Sequence, residues 1–319
     1  MKIKRPSFRR EKRVYYFDHR NGVLENKRTS RLRALTSSLM ALFIVGGAGA
    51  LTMHVLEQRQ STAQTPTLQR QSAPISTTQK SSEEDKLKDV TLKAREDEQL
   101  AKDVKSKLKN IPGGQKWSVY IRDLKSDRMA SINADAQLTA PGLSNLFLAI
   151  PLEAKSPSKN WSYKYGKTTL ANCVESVVSA KDTNCLPTLK GASDMKNANN
   201  LIANQGFKKT QYTDKEQSTS ARDAGDLLFR LQNGQVLSDK ARRVVFDGLY
   251  RQKMREGVPK SCGATCLVAN IATESGNIRQ DAAIVTDGDT KYVVVIMTNG
   301  GSWSQIAGLA GDIHKEMKP

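Results

Sequence analysis

Histidine and cysteine are scarce in this chain, and the shortage limits the metal sites that it can form. The 319 residues contain four cysteines and three histidines, His19, His54 and His314. Cys262 and Cys266 are close in sequence, but no histidine or second cysteine pair accompanies them at the spacing of zinc ligands. The sequence therefore predicts no metal site, and nothing in it indicates a cofactor.

Charged residues are absent from residues 34–56, which contain no Asp, Glu, Lys or Arg. A segment of this length spans a bilayer as a helix. The preceding residues 1–33 are rich in Lys and Arg, and such flanks stay on the cytoplasmic side. The sequence predicts a basic cytoplasmic tail (1–33) and a single transmembrane helix (34–56) in the plasma membrane, with an extracellular or periplasmic remainder. A cleaved signal peptide is the alternative, because Ala48-Gly49-Ala50 resembles a cleavage site, although the basic leader is long for one.

Apolar side chains are nearly absent from residues 57–82, which consist mainly of Gln, Ser, Thr and Pro. Such a segment cannot bury enough surface to fold, so it is predicted to be a flexible linker before a folded domain at 83–319. The net charge is +18, of which +9 lies in residues 1–34 and +2 in residues 57–82, so +7 remains for the domain. The basic tail is explained by anionic lipid and gives no reason to expect nucleic acid.

The folded part shows helical and strand patterns in an informative order. Apolar residues at helical spacing predict one helix over residues 83–110. Trp117 to Leu124 predicts a strand, residues 142–231 are mainly helical, and two apolar runs flank the turn Asp287-Gly288-Asp289 as a hairpin. A final helix is predicted from Ser302 to Met317. This order predicts an α/β (α+β) sandwich, with a sheet built from both ends of the domain and helices inserted between them.

Several short phrases carry a resemblance to a known family. In chain order they are Ile132-Asn133-Ala134-Asp135, Val177-Val178-Ser179, Gln205-Gly206-Phe207, Ser218-Thr219-Ser220-Ala221-Arg222-Asp223 and Asp281-Ala282-Ala283-Ile284-Val285. Their order and spacing resemble the class A serine β-lactamases and the related penicillin-binding D,D-peptidases, the β-lactamase enzyme family. The resemblance covers residues 83–319 and implies a β-lactamase/transpeptidase-like fold, with an antiparallel sheet and an inserted all-helical part.

The family's first motif, Ser-Xaa-Xaa-Lys, places a nucleophile and a basic amine one helical turn apart. The resemblance assigns Gly142 to the serine position and Asn145 to the lysine position, so both chemical groups are missing. Ser144 is two residues from Gly142 and is expected to face another side of the helix.

The other two motifs are also altered. Where the family has Ser-Asp-Asn, this chain has Ser179-Ala180-Lys181, which keeps the serine and loses the asparagine. A relocated general base is one interpretation of Lys181, but without a nearby hydroxyl nucleophile a solvated lysine is favoured. Where the family has Lys-Thr-Gly, this chain has Ile271-Ala272-Thr273, so the cation that would hold a substrate carboxylate is lost.

The four cysteines all lie in the part predicted to be outside the cytoplasm, where disulfides are favoured. Three connectivities are possible from the sequence, and buried free thiols are the alternative. The resemblance favours Cys173–Cys185, because these residues flank the Ser179 loop and would hold it in place. Cys262–Cys266 would then be a small clip before the last strands.

Three function classes remain open from the sequence. The first is a membrane-anchored, catalytically degenerate β-lactamase-like module without catalytic residues, which binds peptidoglycan, another cell-envelope component or a protein. The second is an active serine hydrolase, a β-lactamase or D,D-peptidase, with a relocated nucleophile. The third is a structural or assembly protein that associates through the small residues 46–50 in the membrane.

Overall fold

The computed structural model describes residues 15–18, 23–26 and 95–318, apart from residues 110, 112–113, 181, 214 and 264–265. The first two ranges are strands β1 (Tyr15–Asp18) and β2 (Val23–Asn26), which pair antiparallel and belong to the first of two units, residues 1–77. The predicted transmembrane helix and linker lie outside the described residues. Within those residues, no helix is long and apolar enough to cross a membrane.

The second unit, residues 78–319, contains the remaining strands and all the described helices. The strands are β3 (Arg95–Glu96), β4 (Lys116–Asp123), β5 (Arg128–Ile132), β6 (Leu138–Thr139), β7 (Lys164–Tyr165), β8 (Thr168–Thr169), β9 (Gln211–Tyr212), β10 (Gln217–Thr219), β11 (Leu267–Ser275), β12 (Ile278–Asp287) and β13 (Thr290–Asn299). The α-helices are α1 (Glu98–Lys109), α2 (Ala149–Lys155), α3 (Leu170–Val178), α4 (Leu186–Ala192), α5 (Ala198–Asn204), α6 (Ala221–Gln232), α7 (Asp239–Tyr250), α8 (Val258–Ser261) and α9 (Trp303–Met317). The 3-10 helices are Leu143–Leu148, Ser158–Asn160 and Thr183–Cys185.

A six-stranded sheet organises this unit, in the order β11-β12-β13-β4-β5-β3. All neighbours are antiparallel except β3, which runs parallel to β5. Strands β11 to β13 come from the end of the chain, whereas β3 to β5 precede the helical part. The prediction of a sheet built from both ends of the domain is therefore confirmed.

The sheet is covered on both faces, and strand β13 has apolar side chains on each of them. Val293, Val295 and Met297 belong to the core formed with the inserted helices. The alternate residues Tyr292, Val294 and Ile296 belong to a second core with α1 and α9. Because a strand buried on both sides needs apolar residues at every position, it appears in the sequence as an unbroken apolar run.

The first helix of the unit is shorter than its sequence pattern predicts. A continuous helix was expected over residues 83–110, but Arg95–Glu96 form strand β3 and α1 begins at Glu98. The Asp97 carboxylate accepts a hydrogen bond from the Leu100 amide at 2.9 Å. Asp97 therefore caps the start of α1.

Candidate functional site

The 3-10 helix Leu143–Leu148 carries the positions that the resemblance assigns to the nucleophile motif, and Gly142 is its N-cap residue. An α-helix was expected from Gly142, but α-helical geometry begins only at Ala149. The Ser144 carbonyl accepts a hydrogen bond from the Tyr212 hydroxyl, which competes with an α-helical bond. In a 3-10 helix, residues three apart lie on one side, so Gly142 and Asn145 share a side as the motif requires.

Thr273 fills the space into which a side chain on residue 142 would extend. A Cβ atom placed on Gly142 would lie 1.7 Å from Thr273 Oγ1 and 2.9 Å from Thr273 Cβ. Thr273 lies on β11 and is itself 8% exposed. The fold therefore brings the first and third motif positions together, and the Thr273 side chain fills the space between them.

Asn145 stands at the lysine position and is buried. Its backbone N–H donates a hydrogen bond to the Gly142 carbonyl at 3.0 Å, as expected for a 3-10 turn. Its side-chain Oδ1 is buried and has no hydrogen-bond partner among the residues that the structure describes. An amide cannot accept a proton as an amine does, so the position offers no general base.

Ser144 is the serine that lies two residues after Gly142, and its surroundings do not activate its hydroxyl. The residue is fully buried, and its Oγ lies 3.0 Å from the side-chain amide of Gln217. The same amide lies 3.0 Å from Lys190 Nζ. The amide thus stands between the hydroxyl and the amine, whereas nucleophilic activation needs the base in direct hydrogen-bond contact.

The second motif position also lacks an exposed nucleophile. Ser179 caps the C-terminus of α3 and is 1% exposed. Its hydroxyl donates to the Ser176 carbonyl at 3.3 Å, and its own carbonyl accepts from the Lys253 amide at 3.0 Å. The first bond directs the hydroxyl toward α3, the helix that Ser179 caps. Lys181 lies outside the described residues.

Strand β11 carries the third motif position, and its residues belong to the packed interior. Ile271 is 2% exposed and lies in the core shared with the inserted helices. Ala272 is 4% exposed. At the position where the family's cation would stand, the sheet therefore presents a buried apolar side chain that cannot pair with a carboxylate.

A sizeable cavity lies next to strand β12, which pairs with β11. It has a volume of about 470 Å³ and is lined by the ends of β4, β12 and β13 and by the small sheet of β6, β9 and β10. Gln280, the register partner of Thr273, lines it and donates to the Thr139 carbonyl at 2.8 Å. Exposed Lys116 and Glu216 give the rim charge of both signs. None of the predicted motif positions that the structure describes lines this cavity.

No sequence pattern singled out this cavity, because its lining comes from six strands that are far apart in the chain. Gln280 is 1% exposed, and its Oε1 has no hydrogen-bond partner within the described part of the chain. The sequence shows Gln280 only as a polar residue before Asp281 and the apolar run 282–285.

One buried acid on β12 has a strongly shifted pKa. Asp281 is fully buried and accepts hydrogen bonds from Asn270 Nδ2 at 2.9 Å and from the Val258 amide at 2.8 Å. Burial raises the pKa of Asp281 to about 7, against the lowering effects of these bonds and of Arg255. The carboxyl links the start of α8 and Asn270 on β11 to strand β12.

The structure contains both disulfides that the sequence favoured. Cys173–Cys185 joins α3 to the 3-10 helix before α4, with 5.3 Å between the Cα atoms, and its two cysteines flank Ser179. Cys262–Cys266 joins the end of α8 to the start of β11, with 5.7 Å between the Cα atoms. Both pairings are therefore confirmed.

A family comparison identifies the chain. The model of the beta-lactamase enzyme family matches residues 153–316, which is just over half of the chain. The chain belongs to the beta-lactamase enzyme family. The match includes Ser179 and β11, whereas Gly142 and Asn145 precede it. A search of curated proteins finds no match for this family member.

Solved structures of the family share the fold of this member at low sequence identity. PBP-A is 15% identical with a TM-score of 0.60, and the alignment covers 70% of this chain and 97% of PBP-A. A β-lactamase from Sphaerobacter thermophilus is 14% identical with a TM-score of 0.56, over 68% of this chain and 94% of that one. A point mutant of the last common ancestor of Gram-negative bacteria class A β-lactamase is 16% identical with a TM-score of 0.56, over 68% and 97%. These likenesses establish the fold.

Proposed function

We propose that this chain is a catalytically degenerate member of its family, which binds a component of the cell envelope without acyl transfer. The contact between Gly142 and Thr273 carries the proposal. Acyl transfer needs a hydroxyl that projects toward the substrate carbonyl, with a base beside it. Here the residue at the serine position has no side chain, and Thr273 Oγ1 occupies the space for one.

The other two motif positions support the same proposal. The amine of the first motif is replaced by Asn145, and the cation of the third by buried Ile271. A nucleophile, a base and a carboxylate anchor serve one reaction, so the loss of all three argues against that reaction more strongly than any single change. An active hydrolase with a relocated nucleophile is the competing function, but Ser144 and Ser179 are both buried and bonded to neighbouring groups.

Covalent labelling with a fluorescent penicillin tests the proposal. The full chain is expected to remain unlabelled under conditions that label PBP-A, a mutant of which is known as an acyl-enzyme complex with penicillin G. Labelled protein would be digested and the modified residue found by mass spectrometry. Stoichiometric modification of any serine would overturn the degenerate assignment and support the hydrolase.

We propose peptidoglycan as the envelope component, with residues 34–56 as the single membrane anchor. The net charge of +7 over residues 83–319 supports an anionic polymer as ligand. The cavity beside Thr273 offers hydrogen-bonding side chains, and Lys116 at its rim is exposed without a carboxylate partner among the described residues.

Co-sedimentation of the detergent-solubilised full chain with insoluble peptidoglycan tests this ligand. Lys116→Glu is expected to reduce the bound fraction several-fold, because it reverses a charge at the cavity rim, and raised salt is expected to do the same. Lys164→Glu on β7 is the matched control, since it makes the same charge change at another exposed position. Equal losses for the two variants would show that the cavity is not the binding site.

A further inference from the structure

The fold brings a histidine to the Cys262–Cys266 disulfide. His314 lies near the end of α9, 52 residues after Cys262, and its Nε2 is 3.9 Å from Cys262 Sγ. The two sulfur atoms and one ring nitrogen of His314 all lie within 4.8 Å of one another. The sequence could not predict this cluster, because the histidine is far outside zinc-ligand spacing in the chain.

We propose that the reduced form of this cluster is a zinc site, in which the thiolates of Cys262 and Cys266 and Nε2 of His314 bind one Zn²⁺ ion. Two thiolates and an imidazole are ligands that Zn²⁺ prefers in tetrahedral sites, where ligands lie about 2.0–2.3 Å from the metal. The observed spacing of the three atoms allows this geometry after small side-chain movements.

A histidine that binds zinc usually donates its other ring N–H to a neighbouring acceptor, and the surroundings of His314 provide such an acceptor. Its Nδ1 lies 3.0 Å from the hydroxyl of buried Tyr292, and its Nε2 lies 3.2 Å from Asp287 Oδ2. When Nε2 binds zinc, the ring proton moves to Nδ1 and is donated to the Tyr292 oxygen. Asp287 loses its histidine contact at the same time and keeps its ion pair with Lys318 Nζ at 2.8 Å, so a water molecule would complete the tetrahedral site.

A reductant can approach this disulfide from either cysteine. Cys262 and Cys266 are both half-buried, whereas in the other pair Cys185 is half-buried and Cys173 is fully buried. A dithiol reductant of the thioredoxin class would break the Cys262–Cys266 bond and be oxidised to its own disulfide, leaving two thiols. Zn²⁺ then displaces one proton from each thiol to form two thiolate bonds.

The two forms connect different parts of the fold. The disulfide closes a short loop between α8 and β11. The zinc site would instead link this loop to α9, through His314. Because β11 also carries Ile271, Ala272 and Thr273, the metal would fix the start of the strand that forms one side of the degenerate site.

Titration of the full chain with Co²⁺, followed by displacement with Zn²⁺, tests the site. After reduction with a phosphine, Co²⁺ is expected to bind at one equivalent and to produce a thiolate charge-transfer band, whereas the oxidised chain gives no band. His314→Gln is expected to weaken binding more than tenfold, and Tyr292→Phe, which removes an outer partner, by about tenfold. Cys173→Ser/Cys185→Ser is the matched control and should leave the band unchanged.

A second measurement uses the wild-type chain, so its outcome does not depend on whether a variant folds. In the reduced wild-type chain, Zn²⁺ is expected to protect Cys262 and Cys266 from alkylation, as shown by peptide mapping, and to leave the rates at Cys173 and Cys185 unchanged. The proposal is overturned by the absence of a one-equivalent band, by a band that persists in His314→Gln at wild-type affinity, or by equal alkylation with and without Zn²⁺.

Discussion

Gly142→Ala is expected to lower the free energy of unfolding by about 3 kcal/mol or more, the upper end of the range for overpacked cores. The added Cβ would lie 1.7 Å from Thr273 Oγ1, so the strand, the 3-10 helix or both must move. Both residues are held on packed elements, and a small rotation of one side chain cannot relieve the clash, because Thr273 Cβ would also lie 2.9 Å away. Denaturant unfolding measures the change.

A double-mutant cycle with Thr273→Gly separates this clash from a general intolerance of the position. The double variant is expected to be more stable than the sum of the single changes implies, with a coupling energy of about 2 kcal/mol. Gly308→Ala on α9 is the matched control, because its Cβ would have nothing within 4 Å, and it is expected to be neutral or slightly stabilising. Additive single changes would contradict the claim that Thr273 occupies the space of the missing side chain.

The paired changes at Gly142 and Thr273 show where sequence reasoning ends. The resemblance gave both residues their motif positions, and the glycine at position 142 indicated a lost chemical group. Thr273 fills the space of the missing serine side chain because β11 contacts the turn at Gly142, and these two segments are far apart in the sequence. No local pattern contains such a contact, whereas the apolar run of β13 and the capped helix α9 follow from local periodicity.

The same distinction explains the two cysteine pairs. Each disulfide joins residues that are near in sequence, so spacing and the resemblance were sufficient to favour it. The approach of His314 to Cys262 depends on how α9 packs against α8 and the sheet, which the sequence does not express. Strand β3 was missed for a related reason, since two residues beside β5 leave no periodic signal.

Stability is also expected to fall as pH rises from about 4 to about 7, because of Asp281. Burial raises the pKa of Asp281 in the folded state to about 7, from an ordinary value of 3.8. The folded protein therefore holds a proton that the unfolded chain has released over this interval, and its stabilisation is lost as the pH rises through the folded pKa. At about 1.4 kcal/mol per pKa unit, the total is about 4 kcal/mol. Burial also raises the pKa of Asp223, which adds a change of the same sign.

Comparison of unfolding at pH 5 and pH 8 in Asp281→Asn isolates this carboxyl. The variant is expected to lose most of the pH dependence, since an amide does not titrate. It should also be less stable than the wild type at pH 5, because its nitrogen must face one of the two donors, Asn270 Nδ2 or the Val258 amide. Asp289→Asn is the matched control, because that side chain is fully exposed. If both variants keep the wild-type difference between pH 5 and pH 8, the buried carboxyl is ionised in the folded state and Arg255 outweighs its burial.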